Sequence, residues 1–335
     1  MKKTLQSLLR IIISGVIAFV ILSVFCILYY NVPTQAVCED GVSFNKWGSH
    51  VFYSRATEGF AAGVTNNDGY INSFDYEQGM PIDVLIMGSS HIEGFNTPQE
   101  YITSERLNDM LGYNGVYNIG VSGHSFMSCV NNMEAAVDKY KPSKYVVIEI
   151  STLNYSSDSI NKAINGEIRG DSVSANGFLR LLQKNQYLRL LYMQASMYME
   201  QNEKKQVSNQ EASSDRLLIT EEKTALFDAL FAKISAIAQK YGAKAIIMYH
   251  PATSVGSDGS LVLPNNSETT DVFREYSEKN GVIFLDMSER FLKEYNENDI
   301  LPHGFSNTSV GSGHLNRYGH EMIASELYMI RSEVE

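Results

Sequence analysis

A short apolar run, Asp83–Met87 (DVLIM), ends in Gly88-Ser89-Ser90-His91-Ile92-Glu93-Gly94. A serine just past a buried strand and beside a glycine stands at the strand's carboxyl edge, where its hydroxyl can meet a ligand. The segment is not a G-x-S-x-G elbow, because Ile92 holds the last glycine position. A serine hydroxyl becomes a nucleophile only when a base removes its proton. The candidate base lies far along the chain, in Gly311-Ser312-Gly313-His314-Leu315-Asn316-Arg317-Tyr318-Gly319-His320. His314 stands in a glycine-rich loop before the last helix, and an imidazole titrates close enough to neutrality to act as a general base. Ser90 with His314 is therefore a nucleophile–base pair suited to acyl transfer. A third segment, Asn118-Ile119-Gly120-Val121-Ser122-Gly123-His124-Ser125, carries two glycines that let a backbone N–H approach a ligand closely. Taken singly, the three segments read as a Ser-Ser turn, a surface histidine and a strand-to-helix turn.

The remaining histidines are weaker candidates. His91 adjoins the nucleophile and could contact substrate, His250 follows an apolar run in "MYHP", and His303 stands in "LPHGF" on the way to His314. No metal or cofactor is expected. His314 and His320 are six apart, not four, and no H-E-x-x-H occurs. With no carboxylate–histidine cluster in the sequence, a metal-dependent phosphodiesterase is a poor reading.

Positioning these residues requires a particular set of elements. Asp83–Met87, Val116–Ile119, Tyr145–Ile150, Ala245–Tyr249 and Val282–Leu285 read as five buried strands. Helices are expected over Pro98–Leu111, Ser122–Lys139, Thr220–Tyr241, Thr270–Asn280 and Arg317–Ser332. Residues 154–215 break the rhythm and read as an insertion, with a helix near Phe178–Gln201 and then a polar, mobile stretch. Strands alternating with helices imply an α/β fold, a flavodoxin-like three-layer sandwich around a mostly parallel five-stranded sheet. Chemistry in such sheets gathers at the strands' carboxyl ends.

The N-terminal part is different in kind. From Ile11 to Tyr30 no residue is charged, and twenty helical residues span about 30 Å, the thickness of a hydrocarbon core. Lys2, Lys3 and Arg10 precede the span, while Glu39 and Asp40 follow it, which puts residues 1–10 in the cytoplasm and the rest outside. The length of the run, with no clear A-x-A site after it, favours an uncleaved anchor over a signal peptide. Residues 31–80 read as a connecting region with short strands, and residues 81–335 as the functional domain. A net charge of −11 and the lack of a basic stripe argue against nucleic acid as a partner. The three cysteines, Cys26, Cys38 and Cys129, give no disulfide framework, although Cys38 and Cys129 could meet outside the membrane.

In their order, "GSSH", "NIGVSG" and "GHLNRYGH" resemble the first, second and last blocks of the SGNH, or GDSL-type, hydrolase superfamily, over roughly residues 82–330. The resemblance implies Ser90 as nucleophile, His314 as base, and the N–H groups of Ser90 and Gly123 in an oxyanion hole. Two blocks depart from the family. Its aspartate three residues before the histidine is Gly311 here, so the orienting acid would be Asp286 or Glu149, or a backbone carbonyl would leave a Ser–His dyad. Its Gly-x-Asn-Asp block is absent after the third strand, where "STLNY" offers Asn154 as a possible oxyanion donor. The expected function is a membrane-anchored serine esterase or O-acyltransferase outside the cell, acting on acyl esters, acetyl foremost, of cell-envelope glycans. Some relatives of this kind work beside a multi-spanning acyl-donor protein. The alternative is a non-catalytic glycan-binding or assembly subunit that keeps the fold.

Overall fold

The computed structural model describes residues 2–31, 36–37, 45–168, 184–195, 221–264 and 267–332. The chain opens with helix α1 (Lys2–Tyr29), the one helix among the described residues long and apolar enough to cross a membrane. It hands over directly to a small antiparallel sheet of β1 (Tyr30–Asn31), β2 (Phe52–Arg55) and β3 (Ala61–Val64). The end of α1 is tied to that sheet, since Ser54 Oγ donates to Ile27 O at 2.8 Å and Ala56 N–H to Tyr29 O at 3.0 Å.

The body is α/β. Its five parallel strands are β4 (Val84–Met87), β5 (Val116–Asn118), β6 (Tyr145–Ile150), β7 (Lys244–Tyr249) and β8 (Ile283–Asp286), lying side by side as β8-β7-β6-β4-β5. Counted from the first strand this is the flavodoxin-like order 2-1-3-4-5, whose reversal point falls next to β4. The strand side chains alternate between two cores. Leu85, Met87, Val146 and Ile148 face one core with helices α4 (Phe126–Tyr140), α5 (Ser157–Asn165), α6 (Glu221–Gln239) and α7 (Ser267–Lys279). Val84, Ile86, Val147 and Met248 face the other, with α3 (Thr103–Leu111), α8 (Ser288–Asn298) and α9 (Arg317–Ser332). A third cluster, Trp47, Tyr53, Ile71 and Phe95 among them, fastens the residue 45–80 segment to the body.

The expected strands are all present, but several helix ends move for local reasons. Ser125 Oγ caps α4 by accepting the Ser128 N–H at 3.2 Å, so residues 122–125 form a turn and not the helix's first turn. The expected helix from Pro98 splits into a 3-10 turn (Gln99–Tyr101) and α3. Helices α5 and α8 were not anticipated, each being short and its surface polar. Of the helix expected near Phe178–Gln201, residues 186–195 are helical, 184 and 185 form a turn before them, and the rest lies outside the described residues, as do Cys38 and the polar stretch to 215. Cys129 is buried with a free thiol.

Candidate active site

Ser90 opens the one-turn helix α2 (Ser90–Glu93) directly after β4. Ser89 caps that turn, its Oγ accepting the His91 N–H at 3.3 Å, and Gly94 closes it in a left-handed conformation. Gly88 is dictated by crowding: a Cβ there would lie 2.6 Å from Glu149 Oε2, the oxygen that accepts the Ser89 N–H at 2.6 Å. The turn carrying Ser90 is thus anchored to the neighbouring strand β6.

His314 comes from a different kind of support, the long loop between α8 and α9. His303 and Leu315 form an antiparallel bridge, Gly304 N–H donates to His314 O at 3.0 Å, and Asn316 N–H donates to Pro302 O at 3.0 Å. This folded-back loop holds the imidazole so that Ser90 Oγ and His314 Nε2 lie 2.8 Å apart. The other ring nitrogen, Nδ1, lies 2.6 Å from Glu58 Oε2, and the His314 backbone N–H donates to Glu58 Oε1 at 2.7 Å.

The carboxylate that contacts the His314 ring is therefore Glu58, a residue with no sequence motif to mark it. Asp286 instead accepts the Ser288 N–H at 2.9 Å and its hydroxyl at 2.6 Å, at the start of α8. Glu149 is engaged with His250 and Ser89, so both expected acids are corrected, and a bare dyad with them. Glu58 sits in the turn between β2 and β3, inside the segment read as a mere connection. Asn307 ties this turn to the His314 loop, accepting the Gly59 N–H at 2.8 Å and donating to Ala56 O at 3.0 Å. Only glycine fits at 313, where φ is +104° and a Cβ would lie 2.4 Å from Glu58 Oε1. Burial raises the Glu58 pKa, but the two hydrogen bonds from His314, its charge and that of Arg55 outweigh this and lower it. The carboxylate is consequently ionised at neutral pH. No spacing rule links residue 58 to 314; the one available signal was a carboxylate beside a glycine in a Gly-rich turn.

The turn carrying Gly123 is drawn to Ser90's turn by Val121 N–H donating to Gly88 O at 3.0 Å. Gly123 has φ +88° and nothing within 4 Å of where a Cβ would stand. Its neighbour Ser122 donates its hydroxyl to Glu93, which also accepts Trp47 Nε1–H at 2.5 Å. Burial pushes the Glu93 carboxyl up to about 7 against the lowering effect of these bonds. Asn154 is exposed in the loop that follows β6, at the same sheet edge.

The fold also assembles what the sequence did not show, a carboxylate–histidine cluster. Glu149 Oε1 and His250 Nε2 lie 2.7 Å apart, both side chains fully buried. Burial raises the Glu149 pKa, yet the His250 hydrogen bond, the charges of His250 and His91 and the Ser89 N–H hold it at about 2. The His91 ring lies 4.6 Å from that of His250 and 4.8 Å from that of His314. His303 and His91 both have pKa values well below the usual imidazole range, burial being the main cause and neighbouring histidines adding to it. Beside the Glu58 and His314 loops runs an open cleft of about 210 Å³, with Phe60, Phe305, Arg317 and Tyr318 in its lining.

No protein-family model matches the chain, and no curated protein does. Among solved structures it is similar to a two-domain esterase active on acetylated mannans, with 12% identity and a TM-score of 0.41, over 76% of this chain and 50% of that one. The chain thus spans about half the length of that esterase. It is also similar to an acetyl xylan esterase, with 14% identity and a TM-score of 0.43, over 74% of this chain and 98% of that one. A third is the psychrotrophic esterase EstA from Pseudoalteromonas sp., with 16% identity and a TM-score of 0.38, over 75% and 97% of the two chains.

Proposed function

We propose that this chain is a serine enzyme of SGNH type that cleaves or transfers acyl groups, acetyl foremost, on cell-envelope glycans. One observation carries the reading: Ser90, His314 and Glu58 form an unbroken line of contacts of 2.8 and 2.6 Å. Ser90 Oγ attacks the ester carbonyl as His314 Nε2 takes its proton. Glu58 holds Nδ1–H, which fixes the ring's tautomer and stabilises the imidazolium. His314 then returns the proton to the leaving alcohol, leaving an acyl group on Ser90. Water or a sugar hydroxyl, deprotonated in turn by His314, releases it. The backbone N–H groups of Ser90 and Gly123, with Asn154, are the proposed donors to the oxyanion. Each such donor is worth about 3 kcal/mol in the transition state.

The location belongs to the same proposal. Helix α1 anchors the chain in the membrane with its N-terminus in the cytoplasm and the body outside. Glu58 follows two residues after Ala56, whose N–H is bonded to the last turn of α1. That linkage supports a site held close to the membrane surface, where envelope glycans are built and modified and where a multi-spanning acyl donor would stand. The absent Gly-x-Asn-Asp block is the feature that favours a non-catalytic subunit, and the complete Ser–His–carboxylate line opposes it.

The test is labelling of the detergent-solubilised chain with a fluorophosphonate probe. Labelling is expected in the unaltered protein and absent in Ser90→Ala; labelling that survives the substitution refutes the assigned nucleophile. Turnover of p-nitrophenyl acetate with and without glycan acceptors then separates hydrolysis from transfer.

A further inference from the structure

Three histidines outside the Ser90–His314–Glu58 line converge from three parts of the chain. His91 lies in α2, His250 directly after β7, and His303 in the loop leading to His314. Each offers one ring nitrogen, and the three nitrogens lie within 4.8 Å of one another. His250 is 0% and His303 1% exposed, so their polar atoms must be satisfied from within.

The hydrogen bonds on the outer side of two of these rings assign their tautomers. Glu149 is acceptor-only when ionised, so His250 Nε2, 2.7 Å away, carries a proton. Thr253 Oγ1 donates to Gly311 O at 2.5 Å and is left to accept from His303 Nδ1–H at 3.0 Å. His303 Nε2 then presents its lone pair toward His250 Nδ1, 3.4 Å away. Deprotonated at Nδ1, His250 would offer a second nitrogen donor to a cation placed between them. Two imidazole nitrogens on a tetrahedral zinc ion, each about 2.05 Å from the metal, are about 3.3 Å apart. The outer partners are also those of metal sites, in which a carboxylate or a protein oxygen holds the far N–H of a ligating imidazole.

We propose that His91, His250 and His303 form a zinc-binding site, with Glu149 and Thr253 orienting its ligands. Three neutral imidazoles suit Zn²⁺ and leave a fourth position for water. His91 Nδ1 accepts the Leu315 N–H at 3.3 Å, one of the longer bonds in the cluster.

The test is independent of the esterase reading. The full-length chain in detergent is stripped with a chelator, titrated with ZnCl₂ by calorimetry, and its bound zinc counted by elemental analysis after gel filtration. One zinc per chain is expected, with micromolar or tighter affinity. His303→Ala should weaken binding at least 100-fold and Glu149→Gln roughly 10- to 100-fold. His50→Ala, at an exposed histidine outside the cluster, should leave binding unchanged. Circular dichroism confirms that each variant is folded. The proposal is overturned if the stripped chain takes up no zinc at 100-fold molar excess, or if folded His303→Ala binds as tightly as the unaltered chain.

Discussion

Glu58 holds His314 at two points, one carboxylate oxygen on the ring Nδ1 at 2.6 Å and the other on the same residue's backbone N–H at 2.7 Å. The double grip fixes the ring's rotation as well as its tautomer, and it ties the turn after β2 to a loop some 250 residues later. The acid approaches the histidine from the N-terminal sheet, not from the position three residues earlier, where Gly311 stands. Most of the consequences that can be measured begin with this pair.

Glu58→Gln keeps the size of the side chain but can present an N–H to Nδ1, which favours the wrong tautomer. The expected loss in kcat is roughly 10³- to 10⁴-fold, with KM little changed. Steady-state turnover of p-nitrophenyl acetate measures it. A variant within threefold of the parent would show that His314 is oriented by something else.

Gly313→Ala attacks the same contact from the other side. The added methyl meets Glu58 Oε1 and forces a side chain into φ +104°. A drop in kcat of at least tenfold is expected, with a stability cost of about 1–3 kcal/mol. Thermal melts alongside kinetics check both, and unchanged values of each would rule out the crowding argument.

Glu93 gives a pH dependence of defined sign. Its folded pKa is raised from 4.5 to about 7, so the folded state binds the proton more tightly than the unfolded chain. Stability from this group is fully present below pH ~4.5 and is lost as pH rises through 7, by roughly 3 kcal/mol at ~1.4 kcal/mol per unit. Glu93→Gln is therefore expected to gain stability relative to the parent between pH 5 and pH 8. Denaturation midpoints at both pH values test this, and an equal offset at the two would contradict it.

Acid acts in the opposite sense through the buried histidines. Burial first, then His250 and His314, lowers the His320 pKa to about 3, while its Nδ1 meets the Thr103 N–H at 3.2 Å. A depressed histidine contributes stability that is present above pH 6.5 and lost as pH falls toward the folded value, by up to ~1.4 kcal/mol per unit. His91 and His303 act alike. Melting temperature should fall steadily from pH 7 to pH 5, and His320→Asn, which keeps an acceptor for Thr103, should flatten that slope. A pH-independent melting temperature over this range would show that these rings are not held neutral.

The sequence by itself determined the elements with strong local signatures. Five short apolar runs became five parallel strands because a strand covered on both faces must be apolar throughout. The uncharged run became helical up to Tyr29 because no proline interrupts its backbone hydrogen bonds. Ser90, Gly123 and His314 were legible because each follows or precedes such an element, and Ser90 and His314 do come within hydrogen-bond distance. Tertiary structure alone decided the third partner. Glu58 reaches His314 only because Trp47, Tyr53 and Phe95 pack the N-terminal sheet onto the body and Asn307 stitches the two loops together. The same holds for His91, Glu149, His250 and His303, which no spacing connects and which meet where the carboxyl ends of β4, β6 and β7 crowd against the His314 loop. Local pattern encodes what a segment does with its own neighbours; the partner of a buried charge is set by which distant segments the hydrophobic core brings together.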